Sequence, residues 1–192
     1  EIVADELADT REASCIRHRV DGAREAFGFT PVAPTAAAAV GSCGFREGGT
    51  YLITGGLGGI GRVVAQHLCT HHRAHVYLTG RAPASEEQRE TMATLCAGGG
   101  QVSYVACDPS DRGSVRDAIA AIRAQGRRLN GVLHSAGMIQ DNFILRKTPE
   151  EFARVIAPKT LGTVHLDLET RDEPLDFFAL FSSIAGVMGN VG

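Results

Sequence analysis

The sequence predicts an α/β fold, a doubly wound parallel sheet, and three observations carry that prediction. A β-branched and aromatic run, Thr50 to Thr54, ends in a glycine-rich turn, and an amphipathic pattern follows at Val63, Val64, Gln66, His67 and Leu68. From residue 48 onward strand patterns and helix patterns alternate, as βαβ units and parallel pairing require. The composition, 44% hydrophobic with a formal charge of -3 over 192 residues, suits one globular domain with an appendage.

The same composition sets limits on function. The positive charges are too few for a nucleic-acid surface, no apolar run is long enough for a membrane span, and Glu1-Ile2-Val3-Ala4-Asp5 is no secretory signal. Cys15, Cys43, Cys69, Cys96 and Cys107 are an odd count without a CxxC pair, which predicts reduced thiols and a cytoplasmic protein. His71-His72-x-x-His75 straddles a predicted helix end and strand start without acidic or Cys partners. It reads as solvated or capping histidines, and no metal site is expected.

Taken in order, residues 1 to 13 are acidic and read either as a helix or as an unstructured lead. Residues 15 to 20 and 23 to 27 flank Asp21-Gly22, the dipeptide of a two-residue type I′ hairpin, which pairs Ile16 with Phe27 and His18 with Glu25. A lone hairpin is marginal in water, so it reads as the end of a subdomain spanning residues 1 to 29. Residues 30 to 47, with Pro31, Pro34 and an alanine run, have linker composition, and the nucleotide-binding domain is expected over 48 to 192. Within it, strands are predicted at 75 to 79, 102 to 106, 131 to 134 and 175 to 181, and helices at 86 to 96, 114 to 122 and 149 to 168. Thr148-Pro149-Glu150-Glu151 is a capping box with Pro at the first helical position, and Pro158 is expected to interrupt the helix just before Lys159.

The turn itself, Thr54-Gly55-Gly56-Leu57-Gly58-Gly59-Ile60-Gly61, contains Gly56-x-Gly58-x-x-Gly61, the dinucleotide fingerprint of a Rossmann-type fold. Glycines there turn the chain sharply and admit a pyrophosphate, whose charge is favoured at the helix N-terminus. An ordinary glycine-rich turn is the alternative. Ligands of such sheets lie at the carboxyl ends of the strands, so the loops after strands carry the information. Thr79-Gly80-Arg81 closes the second strand, and Arg81 stands 20 residues after Gly61. An acidic residue at that distance suits NAD, whereas an Arg suits the 2′-phosphate of NADP; a plain surface Arg is the competing reading. Cys107-Asp108 after the third strand offers a carboxylate at adenine height, and Asp108-Pro109 is equally a turn.

These motifs, together with His134-Ser135-Ala136-Gly137, Lys159 and Phe181-Ser182-Ser183-Ile184-Ala185-Gly186, resemble a short-chain dehydrogenase/reductase. More specifically, residues 48 to 192 resemble the ketoreductase domain of a modular polyketide synthase. The hairpin and linker resemble the last strands of the structural, non-catalytic subdomain that precedes such a domain. The resemblance implies that His134, Ser135, Ala136 and Gly137 form the loop lining the nicotinamide side of the cofactor NADPH, a turn that matches the Asn-Asn-Ala-Gly of simpler relatives. It further implies a substrate that is a β-ketoacyl chain, tethered through phosphopantetheine to an acyl carrier protein, with the other domains of the synthase as partners.

Hydride delivery to a ketone leaves charge on oxygen, which needs a hydrogen-bond donor and an acid. By resemblance the donor is Ser183, the second of the serine pair, although Ser182 is chemically equal to the task. Lys159 supplies the positive charge that lowers a phenol's pKa, and it precedes Ser183 by 24 residues, the interval the family keeps; read without the resemblance it is a surface lysine. By resemblance the acid is a Tyr about thirteen positions past the Ser, with an Asn four further on. The chain ends nine residues past Ser183, and Tyr51, Tyr77 and Tyr104 fall in predicted strands, so the sheet is expected to be truncated on its C-terminal side and the active site incomplete. The run 176 to 181 is also too apolar for a bare sheet edge. Ile139-Gln140-Asp141 aligns with the Leu-Asp-Asp motif of B-type enzymes, and Met188 stands where A-type enzymes carry Trp. The resemblance therefore implies a B-type, D-configured β-hydroxyl; Asp141 alone is otherwise a loop carboxylate. Two further readings stand beside this one: a non-catalytic nucleotide-binding or scaffold module of a megasynthase, and a free-standing short-chain alcohol dehydrogenase, against which the upstream hairpin argues.

Overall fold

The structure, a computed structural model, describes residues 16–26 and 44–188, apart from the side chains of Ile144, Val187 and Met188. The acidic lead, Cys15, Phe27 and the Pro- and Ala-rich stretch 30 to 43 lie outside the described residues. The described residues fall into two compact units, 16–26 with 182–188, and 44–181.

In the smaller unit, β1 (Ile16–His18) and β2 (Arg24–Ala26) pair antiparallel, with Ile16 opposite Ala26 and His18 opposite Arg24. The pairing is one residue out of the expected register. Arg19 N–H donates to Ala23 O at 2.9 Å and Gly22 N–H to Arg19 O at 3.0 Å, which leaves a three-residue loop, Val20-Asp21-Gly22. Gly22 sits at φ +84, the left-handed closing residue of such a loop, so Asp-Gly serves a longer turn than the two-residue one. Arg17 rather than His18 then faces Glu25, and its guanidinium donates to that carboxylate at 2.8 Å. The same unit holds Ser183, whose Oγ accepts the Ala185 N–H at 3.2 Å at the start of α5 (Ala185–Met188).

The larger unit is a five-stranded parallel sheet in the order β5-β4-β3-β6-β7. Its strands are β3 (Thr50–Thr54), β4 (His75–Gly80), β5 (Gln101–Ala106), β6 (Gly131–His134) and β7 (Phe177–Leu180). The crossovers are α1 (Gly59–His72), α2 (Glu86–Cys96), α3 (Arg112–Arg123) and α4 (Pro149–Thr170), with a 3₁₀ turn at Ile144–Arg146 before α4. The strand order reverses between β3 and β6, which is the doubly wound arrangement predicted, and every residue of the central β3 is buried.

Alternation along the strands sends side chains to two cores. Tyr51, Ile53, Val76, Leu78 and Leu133 pack with Leu68 of α1 and Leu95 of α2. Leu52, Tyr77 and Val132 face the other way, onto Val115, Ile119 and Ile122 of α3 and Leu166 of α4. Phe45 packs on the first core, edge-on to Tyr51 and Phe177 with ring centroids 5.5 and 5.4 Å away. The compact unit therefore takes in residues ahead of the boundary read at 48, because a Phe beside two aromatic rings is worth more buried than in a linker. β7 is the edge strand of the described sheet, and Leu180 and Phe181 at its end are exposed.

Pro158 does not interrupt α4. The helix runs unbroken over 22 residues through a buried Pro158. The ring removes one ladder hydrogen bond, the one the Arg154 carbonyl would have received, but its own carbonyl is tied from outside, by the Nε2 of His134 at 2.9 Å. One further row matters for the site. At the carboxyl ends of β4, β3 and β6, Thr79, Thr54 and His134 lie side by side in register, all buried, on the face that carries α3 and α4.

Candidate functional site

The glycine-rich turn leaves β3 with Gly55 at φ +64, and Gly58 N–H closes the turn on Gly55 O at 2.9 Å. Three glycines here are dictated by contact, Gly56 among them because a Cβ would lie 2.9 Å from Ile53 O. A Cβ on Gly55 would lie 2.8 Å from Ala136 Cα, and one on Gly61 would lie 2.6 Å from Gly56 Cα, so the turn is pressed against both the β6 loop and its own helix. Gly59 is different: a Cβ there meets nothing within 4 Å. The first residue of α1 is thus bare on its outer side.

The start of α1 is also electrostatically unanswered. Ser85, Asp111 and Thr148 cap α2, α3 and α4 through their side chains, whereas the N-cap of α1, Gly58, provides none and no acidic residue lies in its first turn. Free N–H groups and the positive end of the dipole are left for an anion. Arg81, just past the end of β4, is exposed and forms no ion pair with any described residue. An uncapped glycine-rich helix start, with a guanidinium that pairs with no described residue at the neighbouring strand end, suits a nicotinamide dinucleotide.

A cleft of about 170 Å³ opens at the carboxyl ends of the strands. Its walls bring together Gly55 after β3, Gly80 at the end of β4 and Arg81 just past it, Cys107 after β5, and Ala136 and Gly137 after β6. These are sequence-predicted positions from four separate loops. The cleft therefore sits at the reversal of strand order, where ligands of such sheets bind. Lys159 is exposed on α4 with its Cε against Gly137, where an added Cβ would lie 3.3 Å away. Leu57 and Gly56 of the turn pack inward, and Ile60 is exposed on the first turn of α1.

The remaining predicted residues fall outside the cleft wall. Asp108 Oδ1 accepts the Ser110 N–H at 2.9 Å and Asp108 O accepts the Asp111 N–H at 3.1 Å, so this carboxylate shapes a turn. Asp141 is exposed on the loop after β6, which is pinned to α4 by Gln140 Nε2 donating to Glu151 Oε1 at 3.1 Å. Ser183 belongs to the other compact unit and is exposed, and the side chain of Met188 lies outside the described residues. All three tyrosines do structural work. Tyr51 Oη accepts the Arg46 N–H at 2.6 Å, Tyr77 donates to Gln125 Oε1 at 2.7 Å, and Tyr104 donates to Ala82 O at 2.5 Å. Burial raises Tyr104 above the usual phenol value, the opposite of what a proton donor near neutral pH requires.

His134, which the resemblance assigned to the loop on the nicotinamide side, is buried at the end of β6 and does not line the cleft. Its Nε2 faces Pro158 O at 2.9 Å and its Nδ1 faces Thr54 Oγ1 at 2.6 Å. Ser135 joins the same knot, its Oγ donating to Thr54 O at 2.7 Å. Burial lowers the His134 pKa below the usual imidazole value and keeps the ring uncharged. The His134-Ser135-Ala136-Gly137 motif marks its loop in the sequence, but nothing there marks Thr54 and Pro158 as its partners.

Comparison with known proteins agrees with this geometry. A family model described as KR domain matches residues 49–192. The chain is 42% identical over 149 residues to polyketide synthase PksL of Bacillus subtilis, covering 77% of this chain and 3% of that protein. It is 41% identical over 148 residues to polyketide synthase ThaG of Burkholderia thailandensis, with the same 77% and 3% coverage. The chain thus spans a few hundredths of the length of the curated relatives it matches. Among solved structures it is similar to an N-terminal ketoreductase from the macrolactin assembly line, with a TM-score of 0.74 and 44% identity over 77% of this chain and 30% of that one. It is also similar to a ketoreductase domain from the bacillaene assembly line, with a TM-score of 0.76 and 37% identity over 92% of this chain and 41% of that one.

Proposed function

The chain belongs to the KR domain family, the ketoreductases of polyketide synthases within the short-chain dehydrogenase/reductase superfamily, and from that membership we propose that it takes part in NADPH-dependent reduction of a carrier-protein-bound β-ketoacyl intermediate. The family reduces β-keto groups and binds a nicotinamide cofactor. The observation that carries the choice of the phosphorylated cofactor is Arg81, in the cleft wall and paired with no described residue, beside the uncapped start of α1.

When bound, NADPH supplies the hydride. The chain's own residues do the rest. The N–H groups opening α1 hold the diphosphate, and Arg81 pairs with the 2′-phosphate. Cys107, Ala136 and Gly137 wall the cleft, with Ser135 holding that loop to Thr54. Ser183 uses its oxygen lone pair on the Ala185 N–H, which leaves its O–H proton to donate to the carbonyl oxygen as charge develops there. Lys159 carries the cation that makes a phenolic acid competent near neutral pH. In this reading the phenol is none of Tyr51, Tyr77 and Tyr104, which are otherwise engaged. Asp141 and Met188 are the positions that favour a B-type product, and carrier protein and sister synthase domains are the partners.

Fluorescence titration with NADPH and NADH tests the reading. Replacing Arg81 by Ala removes a charge-assisted contact of about 1.5–3 kcal/mol, so NADPH affinity falls roughly 10- to 100-fold while NADH affinity changes little. Equal losses for both cofactors would remove the basis for choosing NADPH. The engagement of every tyrosine also supports a second reading, a nucleotide-binding module without turnover. Assay of the parent protein on a β-ketoacyl pantetheine thioester separates the two, because only the first forms a β-hydroxyacyl product.

A further inference from the structure

We propose that His134 is a positioning residue, whose uncharged imidazole ties the turn of α4 that carries Lys159 to the strand that ends in the glycine-rich loop. The inference rests on the reading of Lys159 as the cation of the reaction and supplies what holds it in place.

Hydrogen-bond chemistry fixes the ring's tautomer. The Pro158 carbonyl can only accept, so Nε2, 2.9 Å away, carries the proton. In the uncharged ring Nδ1 is then an acceptor, and Thr54 donates its hydroxyl proton to it across 2.6 Å. The Thr54 oxygen in turn accepts the Ala136 N–H at 3.3 Å. Each group has the partner its chemistry demands, and the chain of bonds runs from the loop after β6 through β3 to α4.

The packing is arranged around this contact. A Cβ at Gly162, one helical turn after Pro158, would lie 3.1 Å from His134 Nε2 and 2.9 Å from Pro109 Cβ, so only a glycine lets α4 come this close. Pro158 has no N–H to give the Arg154 carbonyl, so the helical ladder is weakest at the turn that presents Lys159. Its direction is set from outside, by His134 on Pro158. Farther along, His165 Nδ1 bonds Pro109 O at 2.9 Å and holds a later turn of α4 to the β5 loop instead. Because Lys159 Cε abuts Gly137, three residues after His134, one imidazole fixes both the lysine and the loop it leans on.

Lys147 and Lys159 are the only lysines in the sequence, so ¹³C-methylation of lysine followed by NMR gives one reporter at the site and one reference. Three variants of the full chain are compared with wild type: His134→Gln, His134→Asn and His134→Ala. A Gln amide reaches as far as Nε2 and can still donate to Pro158, whereas an Asn amide reaches only as far as Nδ1 and meets Thr54 alone. The expected result is a displaced, more mobile Lys159 methyl signal in the Ala and Asn variants. In the Gln variant that signal stays near its wild-type position, and the Lys147 signal is unchanged throughout. Identical Lys159 signals in all four proteins would overturn the proposal, as would equal displacement by Gln and Asn, which marks general packing. The Asn and Gln pair still decides if the Ala variant does not fold. NADPH titration of the same wild-type sample is scored separately: failure to bind defeats the cofactor reading, while the lysine spectra alone decide the role of His134.

Discussion

Single residues in the glycine-rich turn divide into those the fold needs and those a ligand needs. Replacing Gly61 by Ala drives a methyl to 2.6 Å from the Gly56 backbone and should cost stability, about 1–3 kcal/mol in a melting experiment. Replacing Gly59 by Ala meets no protein atom, so the melting temperature should hold while NADPH binding weakens several-fold. The reverse pattern would place the ligand elsewhere. Thr79 gives an opposite sign. Its hydroxyl is buried without a hydrogen-bond partner among the described residues, so Thr79→Val should raise stability by about 1 kcal/mol. Residue spacing made the glycines and Arg81 readable in the sequence, because a local loop sets their distances. His134 was readable as part of the loop after β6, but its bond to Pro158 was not, because Pro158 lies 24 positions away on an element whose approach only the folded sheet determines.

At the level of elements, the expected helix and strand positions agree closely with the structure wherever capping chemistry is explicit, as at Ser85 and Thr148. The two departures have physical causes. Asp21-Gly22 supports either of two loop lengths, since both end on a left-handed glycine, and pairing Arg17 with Glu25 accompanies the longer one. Pro158 was expected to break α4, but a helix packed on β6 through His134 tolerates the lost bond. That packing makes a prediction about Gly162. Ala is normally the better helix former by about 1 kcal/mol, yet Gly162→Ala should destabilise the protein by about 1–3 kcal/mol, because the new methyl collides with Pro109 and His134. A higher melting temperature in this variant would mean that α4 is free to move away.

For the whole molecule, the shifted groups define a pH window. Burial lowers His134 and His75 below 6.5, so the unfolded chain binds protons that the folded one refuses. Their contribution is fully present above 6.5 and is lost as pH falls through the folded values. Asp176, held low chiefly by its hydrogen bond from Arg46, adds a further loss below 3.8. On the alkaline side burial pushes Cys69 up to about 11 and raises Cys107, so their contribution is present below 9.0 and fades as pH rises through the folded values. Melting temperature measured against pH should therefore form a plateau between 6.5 and 9.0 and fall on both flanks. A melting temperature that kept rising below pH 6 would contradict the assignment. The order of the sheet also bears on assembly in time. β3 meets β4 across a short crossover, with Thr54 beside Thr79, whereas its other neighbour places Thr54 against His134, 80 residues along the chain. Closing the longer loop is the slower search, so amides shared by β3 and β4 should gain protection in pulsed hydrogen exchange before those shared by β3 and β6. In a nascent chain leaving the ribosome, the half with the glycine-rich turn would stand formed while the lysine-bearing half is still being made.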